Sequence, residues 1–335
     1  MLHIILIPLG AAIFLSVNMG GSGVASAFSA AYGANLIRKD LIPGLFGAFV
    51  LLGALFSGEK VVNTLGSGIV RESHFSITVT TIMLISVGIA IMLANMLKVP
   101  QSTSQAAVFS LMGIGSCLRD VNVNRLVFHI FPAWIYLPVL AFFMTFLAGR
   151  FIYKPIKERE MVDFPSISAH PLIRWGVIAS SCYVSYAIGA NNVANASGPV
   201  YSMLFNKMGL ADSSILITIL SVLMIAPWFG IGGSIFSSRV LEPTGKEIIE
   251  FGPLGSLSIS LVTASLLLYV SLAGGIPAAL AQLNIGAILG LGVYKEGFRK
   301  LFTKQKVKRI FLVWIISPCI AFVISYFLMK LVHAG

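Results

Sequence analysis

The chain has 335 residues, 57% of them hydrophobic and 10% charged, with a net charge of +11. A soluble globular protein carries about 25% charged residues, so this composition excludes a domain that covers itself in water and makes the bilayer its solvent. The positive charge does not point to nucleic acid: no aromatic–basic RNA motif or zinc-ligand spacing accompanies it, and the Lys and Arg sit between apolar runs, where they set topology.

A spanning helix needs roughly 20 apolar residues. In chain order, Leu2–Val17, Leu41–Phe56, Phe75–Leu97, Leu126–Leu147, Ile215–Phe236, Leu257–Ala273 and Ile310–Met329 approach or meet that length. The first run reads as a membrane segment rather than a cleaved signal. It has no basic start, His3 being its only ionisable side chain, and it runs straight into a Gly/Ser motif. Cys117, Cys182 and Cys319 lie singly in apolar stretches, which predicts small buried hydrophobes rather than a disulfide framework. No metal ligand set or cofactor motif is expected.

Four polar motifs interrupt these runs. Gly20-Gly21-Ser22-Gly23-Val24-Ala25-Ser26 places three glycines within four residues. Each costs a helix roughly 1 kcal/mol relative to Ala. They predict either a turn with open N–H groups on Gly21 and Gly23, aimed at an anion by a helix dipole, or close helix packing. Ser22 and Ser26, one turn apart, share a helical face.

Pro100-Gln101-Ser102-Thr103-Ser104-Gln105 reads as a helix start inside the membrane, where Ser102, Thr103 and Ser104 form an uncharged oxyanion cradle, or as a hydroxyl cap at its surface. Gly189-Ala190-Asn191-Asn192-Val193-Ala194-Asn195 carries three amides in an apolar stretch, costly unless satisfied. Asn191, Asn192 and Asn195 could join helices, bind a cation through oxygen, or donate N–H to an anion. Pro277-Ala278-Ala279-Leu280-Ala281-Gln282 repeats the second motif without its hydroxyls, so an anion between the halves would meet a lopsided cradle.

These motifs form an ordered repeat. Asn18–Ala27 aligns with Ala187–Ala196, Val61…Gly66 with Val240…Gly245, Val99-Pro100…Gln105 with Ile276-Pro277…Gln282, and Trp134…Pro138 with Trp314…Pro318. Two halves follow, 1–155 and 173–335, joined by a cytoplasmic linker at 156–172. If each half crosses five times, with Gly20–Ile37 and Gly189–Leu204 re-entrant or broken, the second half is inverted. With both termini outside, Lys60, Arg71, Arg119, Arg125, Lys207 and Lys330 fall outside, and the remaining 17 of the 23 Lys and Arg fall inside. The positive-inside rule supports that orientation. The fold class is therefore an all-α polytopic membrane protein, an inverted-topology repeat with discontinuous or re-entrant helices and about 10–12 membrane segments. Transporters of this design bind substrate near the midplane, between the repeats.

The motifs resemble the inorganic phosphate transporter (PiT) family, whose signature Gly-Ala-Asn-Asp-Val-Ala-Asn and companion Pro-Val-Ser-Thr-Thr-His each occur twice. The resemblance covers nearly the whole chain, and it implies a central site for anion and coupling cation. Gly189–Asn195 departs from the signature at one position, while Gly20–Ser26 is a degenerate match. The family Asp is replaced by Gly23 and Asn192, and the His by Gln105 and Gln282. That pattern is similar to the sulfate permease branch of the family. Near neutral pH phosphate keeps a P–OH that donates to a carboxylate, whereas sulfate only accepts. A carboxylate facing sulfate is repulsive in a low dielectric.

The function expected is secondary active import of a tetrahedral oxyanion, sulfate first, with a proton as coupling cation by resemblance. Phosphate, thiosulfate and molybdate are the alternatives. The substrate-binding candidates are Gly21, Ser22, Gly23, Ser26, Ser102, Thr103, Ser104, Gln105, Asn191, Asn192, Asn195 and Gln282. No proton carrier stands out, since Glu59, Glu72 and His74 lie at segment ends, where solvated roles are expected. Enzyme chemistry is disfavoured: the five histidines are scattered and no Gly-x-Ser-x-Gly elbow exists. A multi-pass plasma-membrane protein in contact with lipid is expected, with no nucleic acid partner, and a homodimer is an assembly the sequence permits.

Overall fold

The computed structural model describes residues 2–33, 35–96, 101–153, 171–208, 214–240 and 252–334. The linker 156–172 falls outside them except for its last two residues, and so do Pro100 and Gly245.

Helix α1 (Leu2–Gly33) is followed by α2 (Ile42–Ser57) and by α3 (Glu59–Asn63), which runs into a π-turn at Thr64–Gly68. Next come α4 (Ile77–Met96), α5 (Thr103–Leu118) and α6 (Phe131–Ala148). The second half opens with α7 (Pro171–Asn192) and α8 (Ala194–Met208), separated only by Val193. Then follow α9 (Ser214–Ile225), α10 (Pro227–Val240), α11 (Pro253–Gly274), α12 (Leu280–Glu296) and α13 (Gln305–Ala334). Among the described residues six helical stretches are long and apolar enough to cross a membrane, and Thr103–Leu118 and Pro318–Val332 are shorter apolar helices.

Polarity is distributed as a lipid solvent requires. Phe56, Phe128, Ile135, Phe143 and Phe151 are exposed on the outside, while Ser180, Ser181, Ser185, Asn191, Asn195, Ser197 and Ser202 are buried along α7 and α8. The α7 hydroxyls bond back to their own helix, Ser180 and Ser181 to Val177 O and Ser185 to Ser181 O, so no donor is stranded. Of the cysteines, Cys182 is buried, Cys117 half-buried and Cys319 exposed.

The closest helix contacts run between the halves and come in exchanged pairs. Helix α1 packs on α10 as α7 packs on α2, and α5 packs on α13 as α12 packs on α6. Glycines make the first two contacts backbone to backbone. A Cβ on Gly20 would strike the carbonyl of Phe229 and one on Gly189 that of Val50, while Gly232 faces Val17 O and Gly53 faces Tyr186 O. In the other pair, Ser325 Oγ donates to Ser110 O at 2.9 Å and Thr145 Oγ1 to Ala287 O at 2.7 Å.

One sequence expectation is corrected here. The stretch Gly20–Ile37 is not broken at its glycines, because α1 stays helical through Gly33. The glycines serve the packing alternative: their missing side chains admit Phe229, Phe236 and Phe46, and that contact offsets the helix-propensity cost. The matching stretch in the second half does break, at Val193.

Candidate functional site

Three discontinuities meet in the interior: the α7–α8 break, the start of α5 and the start of α12. Ser102 caps α5, its Oγ accepting from Gln105 N at 3.2 Å. Helix α11 ends at Gly275, whose φ of 59° is the left-handed conformation that favours glycine. Residues 275–279 are then non-helical until α12 begins.

Four side chains tie down that irregular stretch and the end of α11 before it. Asn191 Nδ2 donates to Ser271 Oγ and to Ile276 O, both at 2.8 Å, and its Oδ1 accepts from Ala278 N at 3.0 Å. Trp134 Nε1 donates to Pro277 O at 2.9 Å. Lys60 Nζ reaches Leu272 O at 2.7 Å, and Arg125 Nη2 reaches Gly274 O at 2.8 Å and Thr64 Oγ1 at 3.1 Å. Two cations thus hold the carbonyl end of α11, where the helix dipole favours them.

The two starts touch at matched positions. Gln105 and Gln282 are each the third residue of their helix, and Gln282 Nε2 donates to Gln105 Oε1 at 3.2 Å. From the α8 side, Asn195 Nδ2 lies 3.1 Å from Thr103 Oγ1, 3.3 Å from Ser104 Oγ and 3.9 Å from Met19 Sδ. Thr103, Ser104, Gln105, Asn192, Asn195 and Gln282 are all buried. The side-chain oxygens of Asn192, Asn195 and Gln282 have no hydrogen-bond partner, nor do both polar atoms of the Gln101 amide.

The starts of α5 and α12 each bring first-turn N–H groups that lack an intrahelical acceptor. No side chain caps α12. Amides, hydroxyls and two positive dipole ends are gathered here without a carboxylate or a cationic side chain among the residues just named. That set can take up an oxyanion by N–H and O–H donation alone. Among the described residues no group of three His, Cys, Asp or Glu side chains comes together.

The sequence candidates divide on this geometry. Ser102, Thr103, Ser104, Gln105, Asn195 and Gln282 come together, and Asn192 is buried at the end of α7, three residues before Asn195, with its side-chain oxygen unpartnered. Asn191 is a clamp with its amide fully engaged. Gly21 and Gly23 are corrected: they lie inside α1, where the helix ladder takes their N–H groups, and they face Phe236 and Phe46. Ser22 Oγ donates to Met19 O at 3.1 Å and Ser26 Oγ to Ser22 O at 3.2 Å, both within their own helix. Sequence reasoning missed Met19, Trp134 and Gln101. Only Gln101 carried a signal, a polar residue where the resembled motif has Val.

The expected solvated role of His74 and Glu72 is also corrected. His74 Nε2 sits 3.0 Å from Asp120 Oδ2, and Arg71 Nε donates to the same oxygen at 2.9 Å. Burial pushes the Asp120 carboxyl up, but the hydrogen bonds from Arg71 and the charges of Arg71 and His74 outweigh it, leaving the group below its ordinary value. Glu72 is half-buried.

Comparison with known proteins bears on family and fold. Residues 19–325 match the model of the phosphate transporter family. The sulfate permease CysP of Bacillus subtilis is 30% identical over 320 residues, covering 95% of this chain and 85% of that protein. A putative phosphate permease of Thermococcus kodakarensis is 24% identical, covering 93% of this chain and 94% of its own. A solved structure titled "The sodium-dependent phosphate transporter" superposes with a TM-score of 0.84 at 20% identity, over 99% of both chains, which shows a shared fold.

Proposed function

The chain belongs to the phosphate transporter family, and from that premise we propose that it imports sulfate across the plasma membrane by symport with a proton. The observation that carries the choice of anion is the cradle itself. Thr103, Ser104, Asn195, Gln105 and Gln282 are buried together, with no carboxylate on any of the helix starts that meet there. Sulfate needs donors only, and a site without a carboxylate spares it the charged acceptor–acceptor clash. The similarity to the Bacillus subtilis sulfate permease supports the same reading.

The exchanged contacts between α1 and α10, α7 and α2, α5 and α13, and α12 and α6 support the division into repeats at 1–155 and 173–335. The distribution of Lys and Arg supports inversion of the second repeat with both termini outside. In that arrangement the Gln105–Gln282 contact would join equivalent positions of the repeats, at the interface where alternating access requires a site.

The test is uptake of radiolabelled sulfate by a strain deficient in sulfate uptake. Expression of inserted protein restores saturable uptake, and uptake against a gradient excludes a passive channel. Failure to restore uptake removes the sulfate assignment. Phosphate is the second reading, favoured by the similarity to the Thermococcus kodakarensis permease. Competition by phosphate, thiosulfate and molybdate ranks the anions.

A further inference from the structure

A symporter needs a group that binds the coupling cation, and the anion cradle holds no titratable side chain. The described residues contain five carboxylates: Asp40, Glu59, Glu72, Asp120 and Glu296. Asp40 pairs with Arg38, Asp120 with Arg71 and His74, and Glu296 with Lys300 and Lys304. Glu59 is exposed. Glu72 differs from all four, being half-buried with its Oε1 out of solvent and without a hydrogen-bond partner.

Its neighbours join it to the cradle. Glu72 lies in a 3-10 turn, Glu72–His74, separated from the π-turn Thr64–Gly68 by Ile69, Val70 and Arg71. Asn206 Nδ2 of α8 donates to Glu72 O at 2.6 Å and to Phe75 O at 3.3 Å. Ser202 of α8 donates to Gly66 O of the π-turn at 2.7 Å, and its hydroxyl also lies beside the Glu72 carboxyl. Ser202 is seven residues beyond Asn195, two helical turns on the same face of α8. One helix thus carries both the amide that reaches Thr103 and Ser104 and the hydroxyl that reads Glu72.

We propose that Glu72 is the site at which the coupling proton is taken up, and that α8 passes its protonation state to the anion cradle. This rests on the proton-symport reading above. Ser202 has one proton to give. When Glu72 is ionised, the carboxylate competes with Gly66 O for it. When a proton from the outer water forms an O–H bond on Glu72, that O–H donates to the Ser202 oxygen and Ser202 keeps its bond to Gly66. Protonation therefore fixes α8 to the π-turn, and release of the proton on the other side of the membrane loosens it. Burial moves the Glu72 carboxyl above its ordinary value, partly offset by the Ser202 hydroxyl.

The charged and titratable surroundings are compatible with this role. From α8, Tyr201 faces Glu72 and Lys207 is exposed near the helix end. The π-turn contributes no titratable group. Arg71 and His74, beside Glu72 in sequence, are both engaged by Asp120. Tyr201 also senses the charge of Glu59 on α3.

The experiment uses the full chain in proteoliposomes, with radiolabelled sulfate (or phosphate, if that is what the wild type exchanges) and an internal pH dye. The wild type accumulates anion when the outside is acid, and added anion acidifies the lumen. Glu72→Gln is expected to lose gradient-driven accumulation and anion-induced acidification at least tenfold, while anion–anion counterflow stays within about twofold. Glu72→Asp, which still titrates, retains driven accumulation with its pH profile shifted to acid. Driven accumulation by Glu72→Gln overturns the assignment. So does loss of counterflow in Glu72→Gln, which would make the residue structural. A wild type that exchanges anion but ignores the pH gradient overturns it too, by removing proton coupling itself, and that outcome is distinguished by the wild-type trace alone.

Discussion

Gln282 donates a hydrogen bond to Gln105 at 3.2 Å, joining two residues that are each the third of their helix. Truncating either to Ala is expected to raise the KM for sulfate by about tenfold, equivalent to about 1.4 kcal/mol for a buried amide left unpaired. Because the two act on each other, the double variant should lose less than the product of the singles. Initial-rate uptake in proteoliposomes at several sulfate concentrations measures both; full multiplicativity would show that the amides work independently.

The amides of the second-half motif should separate by phenotype. Asn191→Ala strips partners from Ala278 N, Ile276 O and Ser271 Oγ. Each buried backbone group so exposed costs about 1–3 kcal/mol. The expected result is a lowered melting temperature in detergent and little folded protein. Asn195→Ala removes only a donor to the Thr103 and Ser104 hydroxyl oxygens, so no backbone group loses a partner. It should melt near the wild type yet transport sulfate roughly tenfold less well. Thermal melts and uptake on the same preparations check the contrast.

A carboxylate returned to the cradle should turn selectivity toward an anion that carries its own proton. Asn192→Asp is expected to cut sulfate uptake at least tenfold at neutral pH, while phosphate becomes the stronger competitor. Gly23→Asp is a poor companion test, because a Cβ there would sit 2.9 Å from Phe46 Cζ. Trimming Phe46 to Ala in the same variant is expected to restore its membrane level, which immunoblotting of the membrane fraction reads directly.

Asp120 gathers Arg71 and His74 at the start of the loop before α4. Its carboxyl lies below the ordinary range, so the stability it contributes is present at neutral pH and is lost as pH falls through that lowered value. Arg71 is 75% exposed, so solvent screening holds the effect to no more than about 1 kcal/mol. Asp120→Asn should melt slightly below the wild type at pH 7, and the two melting curves should converge in acid. A difference that persists at low pH would assign it to packing instead.

The sequence carried the all-helical membrane architecture openly, because composition survives without any knowledge of contacts. It also carried the break at Val193, since Asn191, Asn192 and Asn195 in an apolar stretch demand partners. The glycines of α1 were legible as special but not as packing, because a turn and a close helix contact ask for the same residue. Nothing local distinguishes the engaged amide of Asn191 from the partly open one of Asn195; their partners lie in α5, α11 and the 275–279 stretch. Glu72 read as a solvated segment end because its cover comes from α8, more than a hundred residues away.

The backbone contacts of Gly20, Gly53, Gly189 and Gly232 all cross from one half to the other. At these four glycines each half therefore offers bare backbone to a helix of the other. A single half released from the chain would face lipid with a strip of bare backbone where its partner's helix belongs, a surface that only a second such half could fill. The layer formed by α1, α2, α7 and α10 is thus assembled as a dimer interface is, by two surfaces that are each incomplete alone.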